Sequence, residues 1–382
     1  MRDFNNNLAM QILEFTASSL RFVDHVPQAA PEDGFVWMFL DREDFEQHRG
    51  AVQEAALRLG GSALLDLHSQ DLQNAAHPSH YDYTSVYDLI IFRRLATLPE
   101  MKELNTTDDH AVKHAPSLFH RIQSRAVGFA VFDRLLISVH PRGCYSAKNF
   151  VQRFLSNATF NADLNEAAGR NRTPNSPADL VLRMLNVMVD SYLDLRKELT
   201  TQLEKWQTEL LRPHSRFDNW GSLMGARGQL HLLEDLCDEQ HDAVQEWLDT
   251  LRETPLASFN ADASVAQSQR DQLTARARDV MEHITRVMHH ARRLEQSAET
   301  VVQIHFSAQS NRTNNIMRTL TALTAIFLPL NLIAGIFGMN FEFLPIIHNK
   351  NGFWWALGSM ALVAATLGLI FWRKRYLART RS

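Results

Sequence analysis

Cysteine is scarce in this chain: there are two among 382 residues, Cys144 and Cys237, far apart and without metal-ligating neighbours at short spacing. A disulfide framework is therefore not expected, and the soluble part suits a reducing cytosol. An excess of one charge sign is also missing. The 39 Lys and Arg residues nearly balance the 43 Asp and Glu residues, for a formal net charge of −4. That balance gives no support to nucleic-acid binding. Residues Met1 to Asn7 lack the apolar core of a signal segment, so membrane attachment is expected elsewhere. No nucleophile–base pair, phosphate loop or nucleotide fingerprint stands out, so an enzyme is not expected.

Two further absences are local. No charged residue occurs from Thr319 to Phe341, or from Gly352 to Trp372. Each run has the length that crosses about 30 Å of hydrocarbon as a helix. Pro329 inside the first is tolerated in a membrane helix. Arg312 and Arg318 precede the first run, and Arg373, Lys374, Arg375, Arg379 and Arg381 follow the second. The loop between them, Glu342 to Asn351, holds only Lys350 as a fixed positive charge. The positive-inside rule then puts both termini in the cytoplasm and the loop outside. Trp354, Trp355 and Trp372 stand at the ends of the second run, where aromatic belts form.

Proline and glycine are absent from Leu256 to Leu328, a window of 73 residues. As one helix it would be about 110 Å long, a stalk that continues into the membrane. Leu273, Ala277, Val280, Ile284, Val287, Ala291, Leu294, Ala298 and Val301 recur along it in alternating steps of four and three. This is the seam of helices packed side by side over a long distance. Two shorter helices are expected upstream, over Asp179–Leu211 and Leu223–Arg252. The second has an acidic face with Glu234, Asp235, Asp238, Glu239, Asp242 and Glu246, read as a solvated surface or as one that concentrates cations.

The first 170 residues read as an α/β domain. Strands are expected at Phe35–Leu40, Tyr87–Phe92, Gly128–Phe132 and Leu135–Val139, and a helix at Glu43–Leu59. Ala167 to Pro177 is the expected linker. The chain thus divides into a cytoplasmic α/β domain (1–170), helices packing on the stalk (171–255) and the stalk (256–317). A first membrane helix (318–339), an outer loop (340–352), a second membrane helix (353–373) and a basic cytoplasmic tail (374–382) follow.

The outer loop opens with Gly338-Met339-Asn340-Phe341-Glu342. The Asn340 amide offers a neutral acceptor oxygen at the outer end of the first run. Gly338 lets the backbone turn at the helix end. Together with Asn311-Arg312-Thr313-Asn314-Asn315-Ile316-Met317, Phe327-Leu328-Pro329-Leu330 and Ile333 to Phe337, this loop resembles the signature of the CorA magnesium channels.

The resemblance implies a CorA-like homopentamer in the cytoplasmic (inner) membrane, passing Mg²⁺ and possibly Co²⁺ or Ni²⁺. It implies a selectivity filter of Gly338, Met339 and Asn340. It also implies a pore row of Asn314, Met317, Leu320, Leu328 and Asn331, although sequence alone leaves Met317, Leu320 and Leu328 open to a lipid-facing reading. Many family members carry Thr where Asn331 stands. Regulation by cytosolic Mg²⁺ is implied at Asp71, Asp279 and Glu282, across neighbouring subunits. A third acidic family position is Gln303 here. The related ZntB zinc transporters, possibly proton-coupled, are the near alternative, and Gly352-Phe353-Trp354-Trp355 is similar to their second span. A non-conducting membrane-anchored scaffold is the alternative from another class. His283, His289, His290 and His305 on the stalk are expected at surfaces or interfaces rather than as a zinc cluster.

Overall fold

The computed structural model describes residues 10–16, 19–96, 122–144, 174–211, 220–253, 263–339 and 351–373. The chain divides into two compact units, Met1–Ala298 and Glu299–Ser382.

The first unit begins with seven strands: β1 (Met10–Thr16), β2 (Leu20–Val23), β3 (Gly34–Asp41), β4 (His80–Tyr83), β5 (Asp88–Leu95), β6 (Ser124–Val131) and β7 (Leu135–His140). They form one sheet in the order β2-β1-β3-β7-β6-β5-β4. Only the β3–β7 pair is parallel among the described strands. The apolar runs at 35–40 and 135–139 read as continuous rather than alternating because these strands are central and covered on both faces. The turn between β6 and β7 closes where the Phe132 N–H donates to the Leu135 carbonyl.

Helix α1 (Phe45–Gly60) follows a single 3-10 turn, Arg42–Asp44, and ends at Gly61, whose φ of 85° favours glycine. A short α2 (Asp66–Gln73) comes next. Phe45, Val52, Ala55, Ala56 and Leu72 from these helices share one core with Val36, Met38, Leu89 and Ile137 of the sheet. Gly128 makes the approach of α2 possible, since a Cβ there would lie 2.4 Å from Leu72 Cδ2. Buried His68 fastens α2 from the other side. Its Nδ1 meets the Tyr87 hydroxyl at 2.8 Å and its Nε2 meets Asp82 Oδ2 at 3.1 Å. Because Tyr87 Oη accepts from the Leu65 N–H, its own proton is free for Nδ1, which leaves Nε2–H to donate to Asp82.

Three long helices follow: α3 (Pro177–Leu211), α4 (Trp220–Glu253) and α5 (Ala263–Phe337). All nine seam residues of α5 are at most 6% exposed. Leu185, Leu199 and Leu203 of α3 and Leu230, Leu233 and Leu236 of α4 are also buried. Polar contacts set the directions. Asp179–Arg276, Asp190–His283, Thr200–His290 and Gln207–Ser297 advance together, so α3 runs parallel to α5. Arg227–Glu295 and Glu234–Arg292 run in opposite order, so α4 is antiparallel to α5.

The other edge of α4 holds the sheet. Trp247 Nε1 donates to Asp88 Oδ2 at 3.0 Å, and the Ser79 N–H donates to Glu239 Oε2 at 3.2 Å. Part of the acidic face of α4 is therefore used in packing rather than solvated. In the second unit, α5 continues to Phe337 and α6 spans Gly352–Arg373. Both are long and apolar enough to cross a membrane, with 6% and 0% of their most apolar windows buried.

Candidate functional site

Residues 303–339 of α5 expose almost every side chain; Ala322 alone in that stretch is buried. At 3.6 residues per turn, Asn314, Met317, Leu320, Leu328 and Asn331 fall within an arc of about 120°. All five are exposed, Met317, Leu320 and Leu328 at 56%, 55% and 69%. The hydroxyls of this stretch are spent on their own helix: Thr313, Thr319, Thr321 and Thr324 each donate to the carbonyl four residues back. This satisfies a polar group without water. The amides of Asn314 and Asn331 have no such partner among the described residues. They are the polar groups of the row free to meet an ion's hydration shell.

Pro329 does not interrupt α5. Having no N–H, it leaves the Ala325 carbonyl without its usual donor. At the far end the Gly338 N–H donates to the Ala334 carbonyl at 2.9 Å and the Met339 N–H to the Ile336 carbonyl at 3.3 Å. Gly338 does not take a left-handed conformation, which among the described residues belongs to Gly61 and Gly143. Its small size matters instead, because a Cβ would stand 3.1 Å from the Ala334 oxygen. Asn340 and the loop after it lie outside the described residues. Phe353, Trp354 and Trp355 open α6 with side chains 69%, 68% and 75% exposed, in the position of an aromatic anchor.

Asp71, Asp279 and Glu282 have separate partners within one chain. Asp71, on the last turn of α2, has Oδ1 3.5 Å from His77 Nε2. Asp279 accepts from Asn186 Nδ2 at 3.3 Å, and its Oδ1 lies 3.8 Å from His283 Nε2. Glu282 pairs with Arg286 one turn on, at 2.6 Å. Among the described residues, no hydrogen bond or ion pair joins Asp71 to Asp279. Both are oxygen donors of the kind a hard divalent ion takes. Asp279 is half-exposed and lightly held, whereas Glu282 already carries a guanidinium. Gln303 reaches Glu299 of the preceding turn at 3.5 Å.

The histidines separate. His289 is exposed and His290 is buried against another helix, within the expected choice of surface or interface. It stands beside Thr200 Oγ1 at 3.3 Å and edge-on to Tyr192. Burial, reinforced by Arg196 and Arg293, lowers its pKa to about 4. His283 lies at such an interface: its Nδ1 meets Asp190 Oδ1 at 2.9 Å, a partner the sequence did not name. The sequence signal for this was thin, since it depends on α3 lying parallel to α5.

Comparison with known proteins gives a consistent picture. The Cobalt/magnesium transport protein CorA of Thermotoga maritima is 34% identical over 100 residues, 26% of this chain and 28% of that protein. The chain spans 56% or less of the first curated relatives it matches. The complete structure of the CorA magnesium transporter of Methanocaldococcus jannaschii superposes with a TM-score of 0.64 at 17% identity, covering 96% of this chain and 98% of that one. The ZntB cytoplasmic domain of Vibrio parahaemolyticus superposes with a TM-score of 0.52 at 12% identity, covering 79% of this chain and 98% of that domain. At these identities the two structures speak for the fold alone. The CorA-like Mg2+ transporter protein family matches residues 53–375, nearly the whole chain, and the chain belongs to that family.

Proposed function

We propose that this chain is a divalent-cation channel that carries Mg²⁺ across the cytoplasmic membrane as a homopentamer, with both termini cytoplasmic. The observation that carries the reading is the second half of α5. It is a continuous helix with an apolar surface and two unpartnered amides, Asn314 and Asn331, on one arc, leading to Gly338-Met339-Asn340. Copies arranged about an axis would set those amides in rings at two depths. Met317, Leu320 and Leu328 would form apolar rings between and beside them. A hydrated ion would be held by Asn340 at the mouth, released past the amide stations, and stopped by dewetting when the apolar rings close.

The functional division follows the sequence boundaries. Residues 1–170 and 171–255 sense, 256–317 transmit, 318–339 conduct, 340–352 select, 353–373 anchor, and 374–382 hold the orientation. In this reading Asp71 of one subunit faces Asp279 and Glu282 of its neighbour. Their carboxylates repel until Mg²⁺ bridges them, and the bound ion closes the bundle. The weak hold on Asp279 within its own chain supports it as the principal ligand.

Zinc transport is the second reading, favoured by the Gly352-Phe353-Trp354-Trp355 entry to α6. Co²⁺ or Ni²⁺ would pass by the first mechanism. A bare anchor needs no unpartnered amides along its span. The deciding experiment is ion flux into dye-loaded liposomes, with Mg²⁺ and Zn²⁺ in parallel, with and without a proton gradient. Mg²⁺ entry that ignores the proton gradient is expected. Zn²⁺ entry that requires it would transfer the protein to the second reading, and no flux of either ion would leave the scaffold.

A further inference from the structure

The packed surface between α4 and α5 holds a side-chain cluster used neither by the pore row nor by the Asp71 and Asp279 set. His231 and Glu234 stand three residues apart on α4 and therefore on one face. Glu295 reaches them from α5. One donor atom from each residue lies within 4.8 Å of the other two. Three donors around one Zn²⁺ at its usual bond lengths are about 3.4 Å apart, so closure needs about 1 Å of side-chain adjustment.

The two carboxylates are not members of a solvated face. Glu234 and Glu295 have side chains only 17% and 23% exposed, held in the groove between the helices. His231 is 64% exposed and gives an ion a way in from solution. Its contact with Asp235 is long, at 4.0 Å, so the imidazole is not committed elsewhere. Arg292 holds Oε1 of Glu234, and Arg227 Nε lies 3.5 Å from Oε1 of Glu295. Each carboxylate keeps its second oxygen. Asp235 lies 4.0 Å from His231 Nε2, and Asp238 lies 3.8 Å from Arg292, adding negative charge nearby.

The donor set decides the ion class. An imidazole with two carboxylates suits Zn²⁺ and its first-row neighbours, whereas Mg²⁺ takes oxygen and water. We propose that His231, Glu234 and Glu295 form a Zn²⁺-class metal site that clasps α4 to the stalk, separate from any transported ion. Because α4 also holds the sheet through Trp247–Asp88 and Glu239–Ser79, an ion there would stiffen the joint between the α/β domain and the stalk. This proposal does not depend on the conduction pathway.

The test uses the full-length protein in detergent, stripped with EDTA and dialysed against buffered low-micromolar Zn²⁺. Metal per chain is measured by mass spectrometry, and hydrogen exchange is followed over residues 220–253. The wild type is expected to hold about one Zn²⁺ per chain more than His231→Gln or Glu295→Gln. Zn²⁺ should slow exchange in α4 several-fold in the wild type and in neither variant, while millimolar Mg²⁺ leaves it unchanged. Metal-free melting curves matching the wild type establish that the variants are folded, and two variants on different helices guard against one failing. Equal Zn²⁺ content in wild type and variants, or equal slowing by Mg²⁺, would overturn the site.

Discussion

The two halves of α5 are one helix with opposite fates. From Leu273 to Val301 the apolar seam residues form a stripe that is buried. From Thr319 to Phe337 apolar residues lie all round the helix and remain largely uncovered among the described residues. A stripe with a 3.5-residue period specifies packing against neighbouring helices. An apolar surface on every side specifies hydrocarbon as the solvent, with other copies as additional neighbours. The first half is completed by its own chain. The second is left uncovered by its own chain, and Asn314 and Asn331 are the amides on its exposed arc that the proposed function uses.

The contrast can be broken most sharply by matched substitutions. Ile284 is fully buried in the seam. Ile284→Asp should cost about 4 kcal/mol or more, the penalty of an unpaired buried charge, and abolish cooperative melting of the soluble part. Leu328→Asn in the exposed half should leave that melting unchanged and raise resting Mg²⁺ flux several-fold by wetting the constriction. If Leu328→Asn melts like Ile284→Asp, the two halves do not differ as described. Next in size is Asp279→Ala, which should weaken inhibition by internal Mg²⁺ several-fold in liposomes. An unchanged inhibition curve would remove Asp279 from the regulatory set.

The smallest effect concerns His290. Its folded pKa of about 4 lies below the ordinary histidine value, so the unfolded chain takes up a proton first as pH falls. Stability is therefore full above about pH 6.5 and declines toward pH 4, by up to about 3 kcal/mol. Thermal midpoints between pH 7 and pH 5 should fall less steeply for His290→Gln than for the wild type. Parallel slopes would mean that another group carries the linkage.

The parts of the fold visible in the sequence were those with strong periodicity. The α5 seam was legible because nine small and branched residues keep their step for about eight turns. Strands β3, β5, β6 and β7 were legible as apolar runs. Strand β1 was not, because Gln11 and Glu14 interrupt its pattern although both are buried in the fold. Strand β4, His80–Tyr83, has no aliphatic residue, and α2 is eight residues long with two apolar positions. The row of Asn314, Met317, Leu320, Leu328 and Asn331 came from the family resemblance, and helical spacing then puts it on one arc. The pairing of His283 with Asp190, and the cluster of His231 with Glu295, depend on helix directions that no local pattern encodes. The burial of His290 was hidden because it flanks the seam at Ala291 and is covered by Tyr192 of another helix.

The central claim is that the exposed half of α5 ends in a filter for a hydrated ion. Mg²⁺ flux into dye-loaded liposomes by Asn340→Ala, with assembly checked by size-exclusion chromatography, tests it most directly. The account predicts an intact oligomer with flux reduced to the level of empty liposomes. An intact oligomer that still conducts Mg²⁺ at the wild-type rate would contradict it.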